Sequence, residues 1–169
     1  MAWQYGAVVL FHAPPAKDAT MSYIQSLYPP EHTHCYGCGP ANPAGLHVQT
    51  HWDGETGTCR YTPDPAHMAY PGVVYGGLIA CLMDCHGIGT AIAAAYQAEG
   101  RPMGSDPAIN MVTGNLNVTY KLPTPLGPEL LLEARVKRAF PRKMLISCEL
   151  SAEGRVTAMG EILGVRLPS

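Results

Sequence analysis

Asp84 is the one carboxylate in a strongly apolar run, and its setting suggests chemistry. The stretch from Pro71 to Asp84 reads PGVVYGGLIACLMD: a turn-like start, two valines, a Gly-Gly pair, then an oily segment ending on the acid. An ionised carboxylate is costly to bury without partners and takes up a shifted pKa instead. Such a group is a candidate general base or nucleophile. His86 is close in sequence but about 100° round a helix per residue away from its neighbours, so it is read as a packing or seam residue rather than a relay.

The cysteines invite a second hypothesis. Cys35 and Cys38 are spaced Cys-x-x-Cys and follow His32 and His34. A structural zinc site wants four ligands, usually as two spaced pairs, and no second Cys-x-x-Cys exists. The expectation is therefore no metal and a tight turn with inert thiols. Cys81 and Cys85, four apart, are expected to share one helix face and fill space there. With Cys59 and Cys148 the count is six. The chain is too long and too apolar for a disulfide-dense scaffold, so reduced thiols are expected.

Elements must position these groups. From Gly76 to about Gln97, Leu78, Ile79, Leu82, Met83, Ile88 and Ile92 recur at helical spacing and predict one long helix. Gly87 and Gly89 lower its intrinsic preference but let a sheet or another backbone come close. Before it, a short helix is expected near Met21–Leu27, turn chemistry over 35–44, and strands over Gly45–Trp52 and Gly57–Tyr61 joined at Asp53-Gly54. Residues 99–108 read as a loop. From Ile109 the rhythm turns to period two, with Val112, Leu116, Val118 and Tyr120 alternating against Thr113, Asn115, Asn117 and Thr119. Leu130–Ala139, Lys143–Ala152 and Arg155–Leu167 follow as three more strands. The sum is an α+β architecture, one helix against one face of an antiparallel sheet.

Composition bounds the rest. The chain has 169 residues, 14% charged and 47% hydrophobic, with a formal net charge of −2. That fits one domain with a sizeable core, read as an N-terminal extension over 1–34 and a domain over 35–169. The charge gives no global case for nucleic acid or an acidic membrane surface. No apolar run reads as long enough to cross a bilayer. The first residues lack the basic region and small-residue cleavage site of a signal peptide, and the expected location is cytoplasmic.

With that layout, the chain resembles the hotdog-fold thioesterases, in the branch of phenylacetate-pathway and related acyl-CoA thioesterases. CYGCGPANPAGL (35–46) is similar to the family's cysteine-glycine opening. HMAYPGVVYGGLIACLMD (67–84) matches the stretch holding the family's His-Gly-Gly and its aspartate nine positions after the histidine. TGNLNVTYKLPTPLG (113–127) matches the strand and proline turn that follow, and RKMLISCELSAEGRVTAMGEILGV (142–165) the last hairpin. The resemblance implies a hotdog fold, one long central helix on a curved antiparallel sheet of five to six strands. It also implies hydrolysis of an acyl thioester without a cofactor. Gly76 would give a backbone N–H to the thioester carbonyl, Asp84 would be base or nucleophile, and Thr113 would help orient water. Tyr75, Gly77 and His67 would contact substrate. Two departures stand out: Tyr75 occupies the family histidine's place, and Ala69 a position often held by a polar amide.

Physical chemistry agrees with this carry-over. Negative charge grows on the carbonyl oxygen during hydrolysis, and an amide in the first turn of a helix stabilises it. Gly76 and Asp84 are eight residues apart, about 12 Å along one helix axis. They cannot serve one carbonyl from the same helix, so the chemistry implies at least a homodimer, which the resemblance also implies, with a dimer of dimers (homotetramer) left open. Arg135, Lys137, Arg138, Arg142 and Lys143 crowd into one strand–turn–strand. They read either as a dock for coenzyme A phosphates, with Arg138, Arg142 and Lys143 foremost, or as an ordinary solvated hairpin, since alternation sends only some to one face. Acyl-CoA or acyl-carrier protein is the expected substrate. A homodimer that binds such thioesters without cleaving them is the alternative. Hydration of an enoyl thioester is a weaker one, because its Asp/Glu–His stretch is not found.

Overall fold

The computed structural model describes residues 22–168. Its centre is α1 (Gly76–Ala98), a helix of 23 residues with Leu78, Ile79, Leu82, Met83, Ile92 and Tyr96 all buried. Around it lie β1 (His51–Trp52), β2 (Thr56–Tyr61), β5 (Met111–Tyr120), β6 (Leu130–Phe140), β7 (Lys143–Ala152) and β8 (Arg155–Arg166). They form one antiparallel sheet in the order β1-β2-β6-β7-β8-β5. A separate hairpin, β3 (Met68–Tyr70) and β4 (Val73–Val74), precedes the helix and turns at Gly72, whose φ of 78° suits glycine.

The sheet covers the helix through period-two faces. On β7, Met144, Ile146, Cys148, Leu150 and Ala152 are buried and point one way, joined by Leu130, Leu132 and Ala134 of β6. The glycines expected to let a sheet or another backbone come close admit side chains. A Cβ on Gly87 would stand 2.8 Å from Ile162 of β8, and one on Gly89 2.7 Å from Gln25 Nε2. By length and composition α1 is apolar enough to span a bilayer, contrary to the sequence expectation; here 72% of its 18-residue apolar stretch is buried inside the fold.

Three expectations are corrected. The helix expected near Met21–Leu27 is a 3-10 turn, Ile24–Leu27, its Met21 end lying outside the described residues. Strand Gly45–Trp52 shrinks to His51–Trp52. Residues 46–50 instead pair irregularly: Leu46 N–H donates to the Tyr36 carbonyl (2.8 Å), Val48 N–H to that of Gly37 (3.0 Å), and the Thr50 carbonyl accepts Ile24 N–H (2.9 Å). His47, at φ 52°, breaks the extended run. These bonds fasten the Cys35–Cys38 turn and the described end of the N-terminal extension to the domain. The third correction is the β3–β4 hairpin, too short to show a period in the sequence.

Behind α1 lies a closed polar network. Gln25 Nε2 donates to Thr50 Oγ1 (3.0 Å) and Thr50 N–H to Gln25 Oε1 (2.9 Å). With Gln25 donating to it, the Thr50 hydroxyl spends its proton on His86 Nδ1 (3.0 Å), and His86 Nε2–H reaches the Gly57 carbonyl (3.2 Å). Every partner is satisfied with a neutral imidazole, and burial lowers the His86 pKa to about 4. His86 is a packing residue, as expected.

Candidate active site

Asp84 faces the crease between α1 and the edge strand β5. Thr113 Oγ1 donates to Asp84 Oδ1 at 2.5 Å. A bulge makes this meeting possible. The β5–β8 register shifts between Thr113 and Asn115, so Gly114 is the extra residue. A one-residue insertion swaps the faces of a strand. Leu116 and Val118 pack on the core beyond the bulge, whereas before it Met111 and Thr113 do the inward pointing. Simple alternation from Val112 to Tyr120 misplaced Thr113 on the polar face. Burial raises the Asp84 pKa above that of an ordinary aspartate. The Thr113 hydroxyl opposes this, and the nearby Cys35 adds to it.

Asp84 and Thr113 stand at the wall of a cavity of about 280 Å³ whose other sides include Tyr28, Ile88, Ile92, Ile109 and Met111. Its apolar lining suits a hydrocarbon group, with the carboxyl as one of few polar features.

Gly76, Gly77 and Tyr75 lie two turns away at the start of the same helix. The Tyr75 carbonyl caps the amides of Leu78 (3.0 Å) and Ile79 (3.4 Å). The amides of Gly76 and Gly77 precede them and have no acceptor within the helix. Tyr75 is 58% exposed, and its side chain makes no capping bond. Its ring covers the space a Gly77 side chain would need. Tyr120, at the far end of β5, donates its hydroxyl to the Gly76 carbonyl at 2.8 Å. Tyr120 was read only as one more apolar strand position, because no spacing rule ties the last residue of a strand to the first of a helix. His67, expected to touch substrate, also braces the turn before the helix. Its Nδ1 accepts Asp64 N–H (3.0 Å) in a capping box, and its carbonyl accepts Tyr75 N–H (2.9 Å).

The structure thus joins Asp84 to Thr113 and keeps both apart from Gly76 within one protomer. The basic hairpin sits at the Thr113 end of the sheet. Lys143 pairs with Val165, and Val165 with Val112, so Lys143 is two strand spacings, about 10 Å, from the strand bearing Thr113. Lys137 pairs with Glu161 and Arg135 with Glu133 (3.7 Å). Arg142 donates to the Arg166 carbonyl (3.3 Å). Arg138 and Lys143 form no ion pair among the described residues.

The thiols are arranged otherwise than expected. The helix brings Cys85 against the Cys35–Cys38 turn, with Cys35 and Cys85 sulfurs 3.8 Å apart. Cys35 is not inert. A hydrogen bond from the Cys85 thiol, outweighing burial, lowers its pKa to about 5.

A family model described as the thioesterase superfamily matches residues 71–159, just over half of the chain. The chain belongs to the thioesterase superfamily. A solved thioesterase superfamily protein from Shewanella loihica is 38% identical, with a TM-score of 0.60 over 82% of this chain and 97% of that one. The acyl-coenzyme A thioesterase THEM4 of Xenopus laevis is 32% identical over 92 residues, 54% of this chain and 36% of that protein. The chain thus spans about a third of the length of that relative. The Escherichia coli PaaI protein of the phenylacetic acid degradation operon shares the fold at 13% identity, with a TM-score of 0.60 over 73% and 82% of the two chains. The helix wrapped by six antiparallel strands is the hotdog fold of these thioesterases.

Proposed function

We propose that this superfamily member hydrolyses acyl thioesters of coenzyme A, with each active site shared between two protomers. Asp84 of one protomer takes a proton from water, which attacks the thioester carbonyl carbon. The oxyanion so formed is held by the Gly76 amide of the partner subunit. The C–S bond then breaks, and the proton on Asp84 goes to the departing thiolate. Thr113 occupies Asp84 Oδ1, which leaves Oδ2 for the water.

The observation that carries this reading is the Thr113–Asp84 hydrogen bond at an apolar cavity wall. A carboxyl with a raised pKa in that position is suited to proton transfer. Two features support the shared site. Gly76 and Asp84 are on one helix, too far apart for one carbonyl. And β5, ten residues long, is an edge strand with Val112 and Tyr120 exposed, a ready template for pairing with a second copy. Arg138 and Lys143, in no ion pair among the described residues, are available to the phosphates of coenzyme A. THEM4, a relative over part of its length, is named for the same substrate class.

A thiol-release assay over a panel of acyl-CoAs tests the proposal. Asp84→Ala should lower kcat by about 10²–10⁴-fold while acyl-CoA binding persists. Binding without release in the wild type would favour the non-catalytic alternative, and full activity in Asp84→Ala would discard the mechanism.

A further inference from the structure

We infer that Cys35, Cys38, Cys81 and Cys85 form a binding site for zinc or a similar thiophilic divalent cation. The sequence offers one Cys-x-x-Cys; the fold supplies the second pair from two successive positions on one face of α1. The sulfurs of Cys35, Cys38 and Cys85 all lie within 4.8 Å of one another. Cys35 and Cys85 sulfurs are 3.8 Å apart. In a tetrahedral tetrathiolate with Zn–S bonds of about 2.3 Å, neighbouring sulfurs stand about 3.8 Å apart. Cys81 stands outside that set and is the fourth sulfur that the cation would draw in. A Cβ added to Gly37 would overlap Cys85 Sγ and come within 3.1 Å of Cys81 Sγ, so both helix sulfurs converge on the space inside the Cys35–Cys38 turn.

The turn itself is built to present sulfur. Gly39 N–H closes the turn on the Cys35 carbonyl at 2.8 Å. A side chain on Gly39 would collide with the Thr33 carbonyl and with the Cys35 backbone. Such a cluster differs from ordinary buried cysteines. Cys59 and Cys148, on β2 and β7, have no part in it. Binding a divalent cation would release the thiol protons as four S–metal bonds form. The bonds would clamp the turn and the irregular segment after it to α1. They would thereby fix one wall of the cavity, to which Cys35, Cys38 and Cys85 contribute. The cation itself takes no part in the hydrolytic steps proposed above.

The test uses the whole protein, purified without chelator and then reduced and stripped of metal. Elemental analysis of the purified protein should give one zinc per chain. Cobalt added to the stripped protein should bind at one equivalent with the visible bands of a tetrahedral site and a near-ultraviolet thiolate-to-cobalt charge-transfer band. Both should vanish in Cys38→Ser/Cys85→Ser and remain in Cys59→Ser. A thiol-reactive reagent on the wild type gives a readout that needs no variant to fold: four thiols should react at least tenfold more slowly with zinc bound. The inference is overturned if reduced wild type shows no cobalt bands at equimolar metal, if the bands survive in the double variant, or if zinc leaves every thiol rate unchanged. A Cys35–Cys85 disulfide in the protein as isolated, with no metal taken up after reduction, overturns it equally.

Discussion

Replacing Gly76 by proline deletes one hydrogen-bond donor and little else. Gly76 is the first residue of α1, following the cap Tyr75. Proline is well tolerated at that position, where its fixed φ suits the helix and the lost N–H has no intrahelical acceptor. The residue before proline must be extended, and Tyr75 already is, at φ −62° and ψ 126°. A Cβ at Gly76 meets the Tyr120 ring at 3.4 Å, an ordinary contact, and the carbonyl that Tyr120 binds is retained. Stability should therefore change by no more than about 1 kcal/mol, a Tm shift within about 4 °C for a domain of this size. Loss of an oxyanion donor costs about 10²–10³ in kcat, about 2.7–4 kcal/mol of transition-state stabilisation. Gly76→Ala keeps the amide and should lose less than about tenfold by comparison. Initial rates of thiol release from a saturating acyl-CoA measure kcat, and thermal melts check the fold. Wild-type kcat in Gly76→Pro, with an unshifted melt, would refute the role of this amide.

Two further outcomes follow from the titrating groups. The Thr113 hydroxyl favours the ionised form of Asp84, so Thr113→Val should move the acid limb of the kcat/KM profile to higher pH; an unmoved limb would mean that Asp84 is not the titrating base. His86 is held near pKa 4 by burial, below its unfolded value of about 6.5. The folded state therefore binds fewer protons in that window, and stability falls as the pH drops from about 6.5 through about 4. The difference amounts to about 3 kcal/mol. Denaturant melts across this range should show that loss in the wild type and not in His86→Gln, and equal slopes in the two proteins would contradict the assignment.

What the sequence revealed follows from the range of each signal. Periodicity reported α1 and the strand Lys143–Ala152 because both are long and packed on one side or all round. It failed over residues 46–50, where apolar positions are present but the backbone bonds go to the Cys35–Cys38 turn instead of a neighbouring strand. Asp84 was legible as a lone acid on an oily helix. Thr113 was placed on the wrong face because the alternation ran straight through Gly114, although a lone glycine inside a strand often marks a bulge; only its resemblance to a family motif singled it out. Tyr120 and the convergence of Cys85 on Cys35 were invisible, since each depends on contacts between residues more than forty positions apart.

The central claim is that Asp84 and Gly76 of different protomers serve one carbonyl. Asp84→Asn and Gly76→Pro should each be nearly inactive alone. A heterodimer of the two variants, isolated through different tags on the two chains, pairs an intact Asp84 with an intact Gly76 in one of its two sites. Its thiol-release rate measures the claim directly. Subunit sharing predicts about half of the wild-type activity per dimer. Activity no higher than that of either parent variant would contradict it.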